Sequence, residues 1–240
     1  MSVGKEFYNQ TKYPFSTESD KAKNLPRPAL ETPQSGAAIT LPVPADLELN
    51  QVSLIEAINR RRSRRKFSAN PLSQEELSWL LWATQGVQNQ SKTSTLRTVP
   101  SGAASHPFDT YLGITGVTGL KTGLYRYLPL SHELVLIRED PGINARLASI
   151  CLDQKWMGTA PVIFIWAAVP YRSTWQCNER GWRYMLFDAG HLCQNLYLAC
   201  EAIDAGCCAV GTFYDDDLNQ FLGLDGETSL AVYLAPVGHK

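Results

Sequence analysis

The chain has 240 residues, 44% hydrophobic and 19% charged, with 22 lysines and arginines against 23 aspartates and glutamates. That length suits one large domain or two small ones with a full core, and near-neutral charge excludes a general affinity for DNA, RNA or an anionic membrane. No apolar run is long enough to span a bilayer and the first residues hold no apolar signal core, so a cytoplasmic protein is expected.

Residues 1–50 carry Pro26, Pro28, Pro33, Pro42 and Pro44 among many polar residues and show little periodicity. They are expected to form an extended arm laid over a folded unit of residues 51–240. Order is expected from Ser53, which with Glu56 matches a capping box ahead of Leu54, Ile55 and Ile58. This helix runs into Arg60-Arg61-Arg62-Ser63-Arg64-Arg65-Lys66-Phe67. Guanidinium groups beside a hydroxyl at a helix-to-loop junction suit a phosphate-bearing ligand, because arginine offers planar paired donors to phosphate oxygens. A solvated basic helix end, favoured by the macrodipole, explains the same run. A polyanion-binding patch is a third reading, which the balanced charge does not support.

Ser73 and Glu76 repeat the capping signature, and Leu77, Leu80, Leu81 and Thr84 follow at helical spacing before Gly86. Trp79 and Trp82 widen the apolar band, which implies packing on two sides. Residues 98–107 are small residues between two prolines. Such a loop permits close approach of backbone to a ligand, although an ordinary surface loop has the same composition. Strands are expected at residues 110–114, 123–127 and 133–137 as an antiparallel meander, then a helix over 143–156. Val162 to Trp166 lacks alternation, so this strand is expected to be buried on both faces.

The longest helix is expected over 181–205, apolar on nearly every side and therefore central to the core or to a subunit interface, with Leu196 at the dimer contact. A strand over 207–213, a helix capped by Asp215-Asp216-Asp217 and a strand over 230–234 complete an α+β or mixed α/β pattern. The six cysteines have no C-x-x-C spacing and the four histidines are scattered, so thiols are structural and no metal site is expected. His191 is expected to be a satisfied core or interface histidine, with Asp188 orienting it or bonding the neighbouring chain.

Four stretches, in this order and spacing, resemble the FMN-dependent nitroreductase superfamily, and within it the SagB-type dehydrogenases related to thiazole/oxazole-forming oxidases. They are Arg61 to Phe67, Arg97 to Ser101, Asp188 to His191 with Gln194 to Leu198, and Ala209 to Phe213. The resemblance implies an α+β fold with a mainly antiparallel central sheet flanked by helices, entwined as a homodimer around two FMN molecules. It implies that Arg61, Ser63 and Arg65 hold the flavin phosphate and ribityl chain, with Arg62 beside the pyrimidine side of the ring. Pro100, Ser101, Ala103 and Ser105 would form the loop against the partner's flavin, and Gly211 and Thr212 the turn approaching N5 and O4.

The implied activity is hydride transfer through flavin N5 to or from a small organic substrate, with NAD(P)H a candidate electron donor. A narrower alternative is an azoline dehydrogenase acting on a modified peptide, and another is a non-catalytic flavin-binding subunit. Two departures stand out. Gly102 and Ala103 reverse the family's usual Pro-Ser-Ala-Gly-Ala order, and the Lys-Tyr pair typical of azoline dehydrogenases is matched by Gln176 and Cys177. An amide does not titrate in the range a general base needs. No catalytic acid or base is assigned.

Overall fold

The computed structural model describes every residue except 1, 14–16, 45, 46, 48 and 50. Within the aperiodic first segment it places helix α1 (Val3–Gln10) and a short strand β1 (Ala38–Thr40). Helices α2 (Leu54–Arg60) and α3 (Gln74–Gln85) begin on the two expected capping boxes. Ser53 and Ser73 each accept a backbone N–H three residues on, and Glu56 and Glu76 bond back to the serine N–H groups. A small hairpin follows, β2 (Val87–Gln90) with β3 (Thr95–Arg97). The expected meander is present as β4 (Phe108–Ile114), β5 (Gly123–Leu128) and β6 (Glu133–Glu139).

Helix α4 (Ile143–Ile150) is shorter than its sequence suggests. Leu152 and Asp153 both take left-handed backbone, with φ of 57° and 56°, and a right-handed helix cannot continue through them. Strand β7 (Val162–Ala168) precedes α5 (Tyr171–Cys177), which the sequence did not announce, and α6 (Arg180–Glu201), the expected long helix. Asn178, at φ 48° and ψ −145°, is the break between them. Strand β8 (Ala205–Cys207), helix α7 (Asp215–Leu222) and strand β9 (Leu230–His239) complete the chain. Asp215, Asp216 and Asp217 occupy the first turn of α7 and do not cap it, since Tyr214 holds the cap position. Their stabilising action there is through the macrodipole.

Seven strands form one antiparallel sheet in the order β1-β6-β5-β4-β7-β9-β8, with helices on both faces. Strand β7 lies inside it, paired with β4 from Phe108↔Ala168 to Ile114↔Val162 and with β9 on the other edge. Its missing alternation now has a cause. Val162, Phe164 and Trp166 enter the core beneath α3 and α6, while Ile163, Ile165 and Ala167 enter a second core beneath α4 and α7. All seven residues of the strand are buried.

Helix α6 packs Met185, Ala189, Leu192, Cys193, Leu196, Ala199 and Cys200 into the first core. Leu196 is fully buried within its own chain, so it does not serve a dimer contact as the sequence suggested. The opposite stripe, Leu186, Phe187, Gly190, His191 and Gln194, is exposed. His191 belongs to that stripe, with 48% of its side chain exposed, and is no core histidine. All six cysteines are buried and free.

The arm is held by side chains that reach its backbone. Arg172 donates to the Ala29 carbonyl (3.0 Å) and the Thr32 hydroxyl (2.8 Å), Arg97 to the Leu30 carbonyl (3.2 Å), and Trp175 to the Leu25 carbonyl (3.1 Å). Arg183 bonds the Tyr8 carbonyl and the Thr11 hydroxyl. Arg172 also pairs with buried Asp109 (2.8 Å), which pairs with buried Arg126 (2.7 Å). Burial pushes the Asp109 carboxyl up, but the two guanidinium groups outweigh it and hold it below its ordinary range.

Gly86 ends α3 with an ordinary φ of −56°, so conformational freedom is not its purpose. A Cβ there would lie 2.5 Å from the Trp82 carbonyl oxygen and 2.4 Å from its ring. Gly86→Ala is therefore expected to cost about 1–3 kcal/mol and to lower the thermal midpoint by several degrees; an unchanged midpoint in a melting scan would contradict this packing.

Candidate functional site: two half-sites on one helix

The basic run leaves α2 at Arg61 and pairs with the strand that follows α6. Ser63 forms a parallel bridge with Cys207, and the Arg64 N–H donates to the Cys207 carbonyl (2.9 Å). Tyr197 of α6 ties this segment down. Its hydroxyl lies 3.0 Å from Ser63 Oγ and accepts the Ala209 N–H at 2.8 Å, while the Arg61 guanidinium lies 5.2 Å above its ring. Burial raises the Tyr197 pKa, so the hydroxyl stays protonated. Arg65 lies 5.8 Å over the Trp156 ring. Trp156 donates to the Gln154 side chain (3.3 Å), and Gln154 in turn donates to the Thr212 carbonyl (3.4 Å). The basic run and the Gly211–Thr212 turn are thus joined into one cradle.

The cradle's charge is uncompensated. Among the described residues Arg61, Arg62, Arg64 and Arg65 have no carboxylate partner, whereas Arg60 is paired with Glu56 at 3.1 Å. Arg62 donates to the Asn59 and Arg61 carbonyls, and the buried Arg64 Nε has no hydrogen-bond partner. At Gly211, in an exposed turn, a Cβ would meet only Tyr233 at 3.6 Å, ordinary contact, so the chain's own packing leaves room there. An anion with several oxygen acceptors fits this donor set. Tyr197 and Arg64 are the parts that the sequence reading did not assign; both sat inside stretches it singled out, but only the tertiary contacts reveal their orientation.

The second half-site is the loop 100–106. Pro100 is exposed at its entrance. Ser101 Oγ donates to Asp188 Oδ2 at 2.6 Å and accepts the His106 N–H at 2.9 Å; the Gly102 N–H donates to Asp188 Oδ1 at 2.9 Å. Ser105 is buried, its hydroxyl 2.9 Å from the Gly102 carbonyl and 2.8 Å from Ser173 Oγ. Both serine hydroxyls therefore serve the loop itself. What it presents outward is Ala103 and Ala104, at φ 56° and 49°. His106 is also left-handed, at φ 43°. For L-residues each such conformation costs roughly 1–2 kcal/mol. Gly102 packs against α6, where a Cβ would lie 2.7 Å from Tyr184.

The two half-sites do not meet in one chain. Tyr197 and Asp188 are nine residues apart on α6, which places them about 180° apart around the axis and roughly 13 Å apart along it. The exposed stripe runs between them. Beside it an apolar groove of ≈ 380 Å³ lies among Leu54, Trp79, Trp82, Asn195 and Leu198. Gln176 donates to the Ala103 carbonyl (2.6 Å), and burial raises the thiol pKa of Cys177. No cluster among the described residues could hold a metal ion.

Residues 58–239 match the Nitroreductase family, and the chain belongs to it; the class is an oxidoreductase built on this fold. The chain is 33% identical over 193 residues to the nitroreductase-family protein MJ1384 of Methanocaldococcus jannaschii, covering 80% of this chain and 94% of that one. It is 24% identical over 246 residues to the trifolitoxin operon protein TfxC of Rhizobium leguminosarum bv. trifolii, covering 96% and 67%. A solved nitroreductase-family structure from Ralstonia eutropha superposes with a TM-score of 0.71 at 28% identity, over 90% of this chain and 94% of that one. Another from Anabaena variabilis gives 0.65 at 28% identity over 76% of this chain, which spans just over a third (37%) of its length. Among the described residues no helix is long and apolar enough to cross a membrane.

Burial, with Arg97 adding to it, lowers the His106 pKa from 6.5 to about 3, so the ring is neutral in the folded protein. The unfolded chain binds this proton below about pH 6.5, so stability is lost as pH falls from there toward about 3, by at most ~1.4 kcal/mol per unit from this group. His106→Gln should flatten the pH dependence of urea unfolding between pH 6.5 and 4; an unaltered slope would place the imidazole in water.

Proposed function

We propose that the chain is an FMN-dependent oxidoreductase that acts as a cytoplasmic homodimer, with residues 51–240 as the catalytic unit and 1–50 as its arm. The observation that carries this reading is the uncompensated cradle of Arg61, Arg62, Ser63 and Arg65 beside the open Gly211–Thr212 turn. A phosphate satisfies the first and a planar ring with polar edges suits the second. When bound, FMN would supply two-electron chemistry through N5, taking hydride from NAD(P)H or an organic donor and passing it to an acceptor.

The protein's part is binding and placement. Arg61 and Arg65 would neutralise the phosphate, and Ser63 would turn its hydroxyl from Tyr197 to a phosphate or ribityl oxygen. Arg62, which is exposed, would reach the pyrimidine side. The backbone amides of Gly211 and Thr212 would face the polar edge of the ring, where donors stabilise negative charge as it develops. Pro100, Ser101, Ala103 and Ser105 would shape the wall contributed by the second subunit.

The geometry of α6 supports a second subunit. One chain holds the cradle and the loop on opposite sides of the helix, and a two-fold pairing across the exposed stripe would set each cradle beside the partner's loop. Gly190 supports this. It sits mid-helix, where glycine costs roughly 1 kcal/mol against alanine, yet a Cβ there would meet nothing within 4 Å. The chain's own packing gives no reason for it, and close approach of a second backbone does. Leu186 and Phe187, and Leu54, Ile55 and Ile58 of α2, are exposed apolar side chains on the same molecule.

The narrower reading, dehydrogenation of an azoline ring in a modified peptide, draws on the likeness to the trifolitoxin operon protein. Gln176 and Cys177 weigh against it, since an amide bonded to the loop and a thiol with a raised pKa supply no base near neutrality.

Purified protein should show a flavin spectrum that bleaches on anaerobic addition of NADPH. Bound flavin that resists NADPH but is reduced by dithionite would shift the reading to another donor or to a passive binder, and no uptake of added FMN would end it. Replacing Arg61 and Arg65 together with Ala should lower FMN affinity by at least ~100-fold, about 1.4 kcal/mol or more for each lost phosphate contact; retained yellow colour through gel filtration would remove them from the phosphate site. Gly190→Leu should sediment as a folded monomer, and a dimer of unchanged affinity would move the interface off this stripe.

A further inference from the structure

The geometry points to Asp188 as a positioning residue that acts on the cofactor through the 100–106 loop of its own chain; this rests on the flavin reading above. Asp188 is 2% exposed, and its two oxygens accept from Ser101 Oγ and the Gly102 N–H. Those contacts hold the base of a loop whose crown is strained. Ala103, Ala104 and His106 are three non-glycine residues in the left-handed region within four positions. Such backbone persists only where its surroundings over-determine it.

The remaining anchors are neutral: Ser173 on Ser105, Gln176 on the Ala103 carbonyl, and bonds of the loop to itself. Among the described residues Asp188 is the one charged group that bonds the loop, and hydrogen bonds to a carboxylate are about twice as strong as neutral ones. Its own helix keeps it in place, since Ala189 next to it and Leu192 one turn on are buried. Burial raises its pKa while the Ser101, Gly102 and His191 contacts oppose that rise, so the loop bonds are what favour the carboxylate form. His191 Nδ1 lies 3.7 Å from Oδ1, beyond hydrogen-bond length. The function of the carboxylate is therefore mechanical: it keeps Ala103 and Ala104 turned outward as a preformed wall, so that the loop need not be ordered when flavin binds.

The test compares FMN titrations of apoprotein, followed by flavin fluorescence, for the wild type, Asp188→Asn, and Asp188→Asn with Ala104→Gly. Asp188→Asn keeps the shape and one acceptor oxygen, and should weaken FMN binding by about tenfold, the scale of one lost charge-assisted bond. Ala104→Gly removes the steric cost of φ 49° without restoring the carboxylate, and should recover ~3–5-fold of that loss. Melting midpoints read beside the titrations separate this from a general loss of stability, which would lower the midpoint and leave the FMN affinity of the folded protein unchanged. Equal FMN affinity for the wild type and Asp188→Asn would overturn the proposal, as would a weakened variant that Ala104→Gly fails to improve. Should Asp188→Asn not fold, Ser101→Ala removes the Ser101 bond to the carboxylate, together with the His106 N–H bond to the same oxygen, without touching the buried acid, and the same rescue is read on that background. Failure of the wild type itself to bind FMN would sink the cofactor reading, a result distinct from either.

Discussion

Helix α6 must bury a full face on the sheet, and that single requirement sets the direction of everything else it carries. Seven apolar or thiol side chains enter the core from it, each worth roughly 1–3 kcal/mol if fully removed from water. With that face fixed, rotation about the axis is no longer free. Tyr197 must point to the strand that returns after the helix, Asp188 must point to the loop before β4, and the stripe between them must face outward. The two polar anchors thus inherit their positions from hydrophobic burial. No functional group on α6 could shift by one residue without taking a core side chain out of register.

The sheet supplies the rigid counterpart. Strand β7, buried on both faces, locks β4 on one side and β9 on the other. The cradle grows from the β8–β9 edge, where Cys207 and Ala209 take the bonds that hold Ser63 and Tyr197. The loop grows from the start of β4. Both half-sites are therefore irregular backbone mounted at the ends of regular elements, which leaves them open to a ligand while their bases stay fixed.

What could be read in the sequence was what local physics decides. The capping boxes at Ser53 and Ser73 depend on residues three apart, and both are present as expected. The double burial of β7 followed from its lack of alternation, and the meander from the spacing of its breaks. The family resemblance rested on short stretches whose order survives in the fold. Helix α5 was not expected, because seven residues between Pro170 and Asn178 are too few to show a helical period. The other misreadings have a common cause in long-range contact. Leu196 lies in the core and not at a dimer contact, because an all-round apolar helix gives no indication of which face meets the sheet. That Asp188 and Ser173, more than 60 residues away in sequence, take the hydroxyls of Ser101 and Ser105 is likewise invisible to local spacing. The charge of Arg61 to Arg65 was visible, but that Arg61, Arg62, Arg64 and Arg65 have no carboxylate partner among the described residues was not.

The buried contacts of the arm also order events in time. Arg172, Trp175 and Arg183 are joined to residues 143 to 175 positions earlier in the chain. A ribosome adding about 5–20 residues per second needs roughly 8–30 s to span such a distance. Throughout that interval the arm has been made and its partners have not, and Asp109, which emerges later, also waits for Arg172 to complete its pairing. The polar, proline-rich composition of the arm suits that wait, since it offers little apolar surface for premature collapse or association. Docking of the arm through these contacts therefore waits until α5 and α6 have been made to receive it.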